Sequence, residues 1–330
     1  MIKLDKKDKK ILTVLANNSR LQISEISKVI ELSRDNVTYR IKRLEKLEAI
    51  QNYVPMINFT KLGYRIYHIL FIVDEKDENK KKEFIKHLKS HKNTLELLEY
   101  SDRWDFEWKL IARSLNDFDQ QVTKVMEIFS DIILEKQTLA NINNYVSRMF
   151  PYKAYDKLIL DKKRKKIEKV KEVIKYKYDE KDLKIIKVLS NNSRVSTYQL
   201  AEKVKLSADA IRLRIKKIED CGIIKKFTII PNLEVLGFNS YTFTVQLSTL
   251  DTKNEKKLET FIKDHPYILK AEKVLGTWDL WFNIISSSPK EFHKTIKQIK
   301  SEFSNIVKKY DAYLLYKRHY VTAVPKIICK

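Results

Sequence analysis

The chain is written twice. LDKKDKKILTVLANNSR (4–20) returns as YDEKDLKIIKVLSNNSR (178–194), and LSRDNVTYRIKRLE (32–45) returns as LSADAIRLRIKKIE (206–219). Every matched pair is offset by 174 without a gap, and 22 of the 61 positions from 4 to 64 are identical, which fixes the register. Asn58, Leu62 and Gly63 fall on Asn232, Leu236 and Gly237. Further along, Trp104-Asp105 falls on Trp278-Asp279, Phe118 on Phe292, Phe129 on Phe303 and Pro151 on Pro325. A period this long marks duplicated domains rather than a solenoid, whose repeats run roughly 20–50 residues.

Each copy opens with a helical pattern. Ile11, Val14 and Leu15 form one apolar face of a helix from about Asp5 to Ala16, and Asn17-Asn18-Ser19-Arg20 breaks it. A second helix, about 24–30, offers Ile26, Val29 and Ile30. After a short turn at Glu31-Leu32, Ser33 is an N-cap candidate with Asp35 in the first turn, where the helix dipole favours an acid. The third helix places Val37, Ile41 and Leu44 inward, Arg34, Thr38 and Lys42 outward, and Tyr39, Arg40 and Arg43 on the flanks. Copy two repeats this, with Ser207 as cap, Ile211, Ile215 and Ile218 inward, Arg212 outward, and Arg214, Lys216 and Lys217 toward the rims. A short helix, a tight turn and a longer helix with a basic face form the helix-turn-helix pattern. The β-like segment from Ile50 to Phe59 would add a wing.

The remaining two thirds of each copy read βαββαβ. The segments are 64–73, 78–90, 94–101, 104–112, 115–129 and 132–147, then 241–247, 253–265, 268–275, 278–285, 289–304 and 306–321. This is the split-βαβ, ferredoxin-like order, an antiparallel sheet with helices on one face. Its open face needs a cover, so pairing of the two copies as an intramolecular pseudo-dimer is expected, and a homo-oligomer beyond it stays open. The expected fold class is α+β, in two tandem units. The domains are a winged helix-turn-helix over 1–60, a βαββαβ domain over 61–155, a basic helical linker over 156–177, a second winged helix-turn-helix over 178–234 and a second βαββαβ domain over 235–330.

Charge narrows the partners. Lys and Arg number 66 against 43 Asp and Glu, a net charge of +23, which favours an anionic partner. Nucleic acid and an acidic membrane surface both fit that balance, and Lys42, Lys216 and Lys217 carry part of it on the third helices. Two cysteines, Cys221 and Cys329, exclude a disulfide scaffold and most cysteine-built metal sites. The longest apolar run, IYHILFIV (66–73), is of strand length, and MIKLDKKDKK has no apolar signal core, so no membrane partner and a cytoplasmic location are expected. With four glycines there is no phosphate-cradling loop, and no cofactor is expected. His87 and His91 have helical spacing for a metal but no third ligand in sequence.

With these residues in view, LSRDNVTYRIKRLEKLEAI (32–50), LSADAIRLRIKKIEDCGII (206–224) and LGTWDLWFNI (275–284) resemble the Lrp/AsnC family of feast/famine transcription regulators, here tandem duplicated and of archaeal type. The resemblance implies a winged helix-turn-helix that binds DNA and a RAM-type regulatory domain that pairs sheet to sheet. It further implies that small effectors, often amino acids, bind near the loop between strands two and three. On that reading Ser33, Arg34, Asn36, Thr38 and Tyr39 reach bases, while Arg40, Lys42 and Arg43 hold phosphates. In copy two Ser207 and Arg212 reach bases, with Arg214, Lys216 and Lys217 on the backbone. Ala208 and Ala210 stand where copy one has Arg34 and Asn36, so the two readers are expected to be unequal. Arg40 and Arg214 have a structural alternative, covering the domain surface. Effector contacts fall on Gly276, Thr277, Asp279 and Asp105, with Asp102 replacing the glycine in copy one. Both aspartates could instead cap a hairpin. Two other functions stay open. One is a sirohaem-decarboxylase-like enzyme acting on a tetrapyrrole through Arg318 and His319, whose copy-one equivalents are Asn144 and Tyr145. The other is a chromatin-like binder indifferent to sequence.

Overall fold

A computed structural model describes residues 2–151 and 176–329 of the chain. The linker expected over 156–177 lies, as far as residue 175, outside the described residues. The described residues divide into two compact units, each assembled from both copies: one from Met1–Lys61 and Met149–Gly237, the other from Leu62–Arg148 and Phe238–Ile328.

The first unit holds the helical segments. In copy one these are α1 (Lys6–Asn17), α2 (Ile23–Ile30) and α3 (Arg34–Lys46), followed by β1 (Ile50–Ile57). Asp5 caps α1 in a reciprocal capping box with Asp8, and Ser33 Oγ accepts the Asn36 N–H at the start of α3. Between α2 and α3 Glu31 turns the chain in the left-handed region at φ 58°. Ile11, Ile26, Ile30, Val37 and Leu44 are fully buried, so the apolar faces read from periodicity are the ones that pack.

Copy two supplies its own set in the same unit: α6 (Glu180–Asn191), α7 (Thr197–Val204), α8 (Ala208–Asp220) and β6 (Ile224–Pro231), with Lys205 repeating the left-handed turn. The segment read as a wing is a strand, and its partner is the other copy. β1 pairs antiparallel with β6, with Val54 opposite Thr228, the equivalent position. A lone strand leaves its backbone groups unpaired; its duplicate satisfies them.

A second contact locks the copies. The two equivalent serines, Ser19 and Ser193, meet Oγ to Oγ at 2.8 Å. Arg20 donates to the Ser193 and Val195 carbonyls at 2.5 and 3.3 Å, and Arg194 donates to Ser19 and Leu21 at 2.6 and 3.4 Å. Each guanidinium also lies 5.3 Å from the centre of an aromatic ring, Arg20 over Phe227 and Arg194 over Tyr53. The repeated Asn-Asn-Ser-Arg, which sequence marks only as a helix break, is therefore the joint between the two halves.

The second unit holds the sheets. Copy one contributes β2 (Arg65–Val73), α4 (Glu78–Ser90), β3 (Thr94–Tyr100), β4 (Phe106–Ala112), α5 (Leu115–Phe129) and β5 (Ile133–Ser147). Copy two contributes β7 (Asn239–Leu247), α9 (Thr252–Asp264), β8 (Ile268–Leu275), β9 (Leu280–Ser286), α10 (Pro289–Glu302) and β10 (Val307–Val321). Each half is ordered as expected for βαββαβ, β3-β4-β2-β5 and β8-β9-β7-β10. β5 pairs with β8 and β10 with β3, closing an eight-stranded antiparallel barrel. The open sheet face is covered by the other copy within one chain. Closure also removes every edge of the sheets.

Three cores follow. Phe71, Phe84, Trp108 and Phe129 pack one sheet on α4 and α5, and Phe243, Ile262, Phe282 and Phe303 pack the other on α9 and α10. Leu70, Trp104, Leu139, Trp278, Trp281 and Tyr313 fill the barrel interior. Beside that apolar core runs a buried ionic network. Lys109 Nζ lies 3.1 Å from Glu96 and 3.6 Å from Glu107. His68 sits between Glu107 at 2.7 Å and Glu272 at 3.3 Å, and Lys270 reaches Glu96 at 3.3 Å. Glu96 and Lys270 occupy equivalent positions of the two copies. A homodimer would set like charges there; the duplicated chain has diverged to opposite ones.

Candidate nucleic-acid interface

α3 presents its outer face to solvent. Ser33, Arg34, Asn36 and Lys42 are exposed, Thr38 is half-buried, and Tyr39 is 66% exposed. Val37, Ile41 and Leu44 anchor the opposite face, so the outer side chains project from a rigid element. Thr38 returns its hydroxyl to the Arg34 carbonyl at 2.9 Å, and Asn36 Oδ1 accepts from Arg40 Nε at 2.9 Å. Arg34, Tyr39 and Lys42 have the reach and exposure for a groove.

The flanking arginines are ion-paired within the protein. Arg40 is held by Asp5 at 2.6 Å and by the fully buried Asp8 at 2.8 Å, and Arg43 lies 3.4 Å from Asp8. Arg214 repeats the clamp on Asp179 at 2.9 Å and Asp182 at 2.8 Å. The Asp5 and Asp8 carboxylates raise the Arg40 pKa, and two carboxylates do the same for Arg214. Burial pushes the Asp5 carboxyl up, but the Asp8 N–H and the Arg40 guanidinium bring it net below the usual carboxylate range. Arg40, Arg43 and Arg214 therefore tie the reader helix to the start of the first helix, a contact of the kind the structural alternative for Arg40 and Arg214 expects. The signal in sequence was the joint repetition of both acids with the arginine.

α8 is a different surface. Ser207, Arg212, Lys216 and Lys217 are exposed, as expected for contacts to an anion. Arg212, however, is paired with Asp209 at 2.7 Å, and Lys217 lies over the Tyr176 ring at 5.9 Å. Leu213, at the position of Tyr39, is 56% exposed.

The loops read as effector contacts also hold the barrel together. Asp105 Oδ2 accepts the Val73 N–H at 2.8 Å, and Asp279 Oδ2 accepts the Leu247 N–H at 2.7 Å. Each aspartate thus ties a hairpin to the neighbouring strand, and partial burial raises the Asp105 pKa. Trp104 and Trp278 are buried in the barrel core. At Gly276 a Cβ would meet Leu139 Cδ2 at 2.6 Å and the Thr138 carbonyl at 2.8 Å, and its φ of +149° excludes other side chains without strain. The close approach that this glycine permits is to strand β5. Asp102, in the equivalent place, accepts the Leu314 N–H at 2.5 Å. Asp105, Asp279 and Gly276 thus have structural contacts, and Gly276 and Thr277 are exposed.

The remaining candidates also have local duties. His91 stacks edge-on against Trp108 and His87 against Phe129; burial lowers the His91 pKa to about 4. Among the described residues no group of three or more His, Cys, Asp or Glu is placed to hold a metal ion. His319 Nε2 lies 2.7 Å from Glu99, and Arg318 adds positive field to the buried Glu96. No described helix is long and apolar enough to cross a membrane.

Comparison with known proteins agrees with this geometry. The AsnC-type helix-turn-helix domain matches residues 4–45 and 179–219, the two reader segments. An HTH-type transcriptional regulator of Pyrococcus horikoshii is 32% identical over 132 residues, 40% of this chain and 86% of its own length. The HTH-type transcriptional regulator LrpA of the same organism is 34% identical over 101 residues, 31% of this chain and 69% of its own. Matches that cover most of a relative but under half of this chain are what a duplicated protein gives. In structure, the sirohaem decarboxylase NirDL superposes with a TM-score of 0.63 at 10% identity, covering 97% of this chain and 94% of its own, a likeness of fold alone. The chain belongs to the Lrp/AsnC family of DNA-binding transcription regulators, with the family's unit present in tandem.

Proposed function

We propose that the chain is a sequence-specific regulator whose two readers contribute unequally, with copy one supplying the polar base readout. The reader domains are taken as 1–60 and 178–234 and the sheet domains as 61–155 and 235–330. The observation that carries this reading is the contrast between α3 and α8. α3 exposes Arg34, Asn36 and Tyr39, while α8 offers Ala208, Ala210 and Leu213 at the same positions. Arg reads guanine through O6 and N7, and Asn reads adenine through N6 and N7. The exposed cations Lys42, Lys216 and Lys217 supply the phosphate contacts that fix register. A binding role is also favoured over a catalytic one by the contact of His319 with Glu99 at 2.7 Å.

Selection of bound duplexes from a random pool, followed by competition against random DNA at physiological salt, tests the reading. Arg34→Ala is expected to weaken binding to the selected duplex by about 1–3 kcal/mol while leaving random DNA nearly unaffected. Lys42→Ala is expected to weaken both alike and to reduce the salt slope by about one. Equal losses on selected and random DNA for Arg34→Ala would sink direct readout by α3. Failure of any sequence to enrich would favour the sequence-indifferent binder.

A further inference from the structure

α4 carries a row of uncompensated lysines. Lys80 is paired with Asp131 and Lys81 with Glu75, but Lys82, Lys86 and Lys89, all exposed, have no ion pair among the described residues. Their spacing sets them on one side of the helix. Like charges at i, i+4, as at Lys82 and Lys86, weaken a helix. The helix dipole favours Lys89 in the last turn and does nothing for Lys82 in the second. The three lysines and Ser90 rim a cleft of about 390 Å³ walled by the half-buried Ile85 and Tyr320, and no residue lining it is acidic. Tyr320 comes from β10 of copy two, opposite Leu97 of β3, so closure of the barrel builds the cleft. The fold alone does not require this charge. The equivalent positions around α9 are Lys256, Glu259, Thr260, Lys263 and Asp264, with Val146 for Tyr320, and Lys263 is paired with Glu259 at 2.6 Å.

Clefts of about 300–1,000 Å³ with an apolar wall and a few placed polar groups are the usual sites of small molecules. Lysine binds phosphate as a point charge, and three in a row spanning roughly 10 Å of helix suit several phosphate groups at once. The Tyr320 ring and Ile85 offer an apolar surface beside them. A duplex keeps its base faces stacked on one another, so the wall favours a free ester whose ring is uncovered. We propose that the α4 cleft binds a phosphate ester of several negative charges, its phosphates on Lys82, Lys86 and Lys89 and its organic part against Ile85 and Tyr320. No residue of α3 or α8 takes part, so the site stands or falls independently of base readout.

Calorimetric titration of the full chain at physiological salt with ATP, inorganic tripolyphosphate and adenosine separates the two parts of the site. ATP is expected to bind more tightly than tripolyphosphate, and adenosine not measurably. Lys82→Gln combined with Lys86→Gln is expected to weaken ATP about tenfold or more. Both side chains are exposed, so the variant keeps the fold. Tyr320→Leu is expected to weaken ATP about fivefold and to leave tripolyphosphate unchanged. The control is Lys256→Gln with Lys263→Gln on α9, which is expected to change ATP binding less than twofold. Absence of ATP binding at millimolar concentration overturns the inference. So does an equal loss in the control, which would mark diffuse attraction to a cationic protein. Equal affinity for ATP and tripolyphosphate, with no response to Tyr320→Leu, overturns it as well. If the α4 variant weakens duplex binding while ATP does not bind, the row belongs to the DNA contact and the inference fails.

Discussion

Lys109→Met is expected to destabilise the barrel by about 3–5 kcal/mol, the usual result of leaving buried charges without their partner. Lys109 is the cation shared by Glu96 and Glu107, and neither carboxylate can turn to water. The pH dependence of the loss identifies its cause. Burial pushes the Glu272 carboxyl up, but Lys109 and His68 hold it net down to about 2. Glu96 and Glu107 are likewise depressed despite burial, by Lys270 with Lys109 and by Lys109 with His68. Depressed carboxylates stabilise above their ordinary value of 4.5, and the contribution disappears as pH falls through their folded values. His68 behaves oppositely. Burial and Lys109 lower its pKa, Glu272 and Glu107 raise it, and the net is upward. Its contribution is complete below 6.5 and is lost as pH rises through the folded value. Urea unfolding of native chain and variant from pH 3 to 9 checks this. The difference between them is expected to be large near neutrality and to shrink below about pH 4.5, where the carboxylates of the variant protonate freely. A difference under about 1 kcal/mol at neutral pH would show that the network is not held by Lys109.

The joint between the readers gives the second large effect. Arg20→Ala combined with Arg194→Ala removes both guanidinium clamps, each bonded to two carbonyls of the other copy. Hydrogen bonds to charged groups contribute about 1.5–3 kcal/mol each, so the pairing loses on the order of 6 kcal/mol. The β1–β6 ribbon that remains has two strands, which alone are marginal in water. With the readers no longer held in one geometry, affinity for a duplex carrying both half-sites is expected to fall about 100-fold. Affinity for a duplex carrying one half-site is expected to stay within about twofold. Titration of both duplexes by fluorescence anisotropy reads the contrast, and a parallel loss on both would locate the effect in folding of the individual readers.

What the sequence showed was local. Ser33 and Ser207 cap the reader helices because a side-chain oxygen next to the first turn meets an orphan N–H wherever the helix packs. The inward triads Val37-Ile41-Leu44 and Ile211-Ile215-Ile218 are buried because the helical period allows them only one apolar side. What it hid were contacts across large separations. Arg40 lay on a flank of α3, but only packing of α1 beneath it brings Asp5 and Asp8 within reach. Asp105 and Asp279 looked functional because a repeated acid next to tryptophan suggests a site; the fold uses each to hold a strand N–H. The same holds for Gly276, whose missing side chain makes room for β5. Ser19 with Ser193 and Glu96 with Lys270 each join equivalent positions, one pair alike and the other opposite in charge. The first preserves the symmetry of the duplication, and the second shows where the copies became complementary.

Sedimentation of the chain with a duplex containing both half-sites, joined to hydroxyl-radical footprinting of the same complex, examines most directly whether one duplicated chain does the work of a dimer. One chain per duplex and two protected segments are expected, the α3 segment sensitive to Arg34→Ala and the α8 segment to Arg212→Ala. Two chains per duplex, or a single protected segment at one chain per duplex, would contradict it.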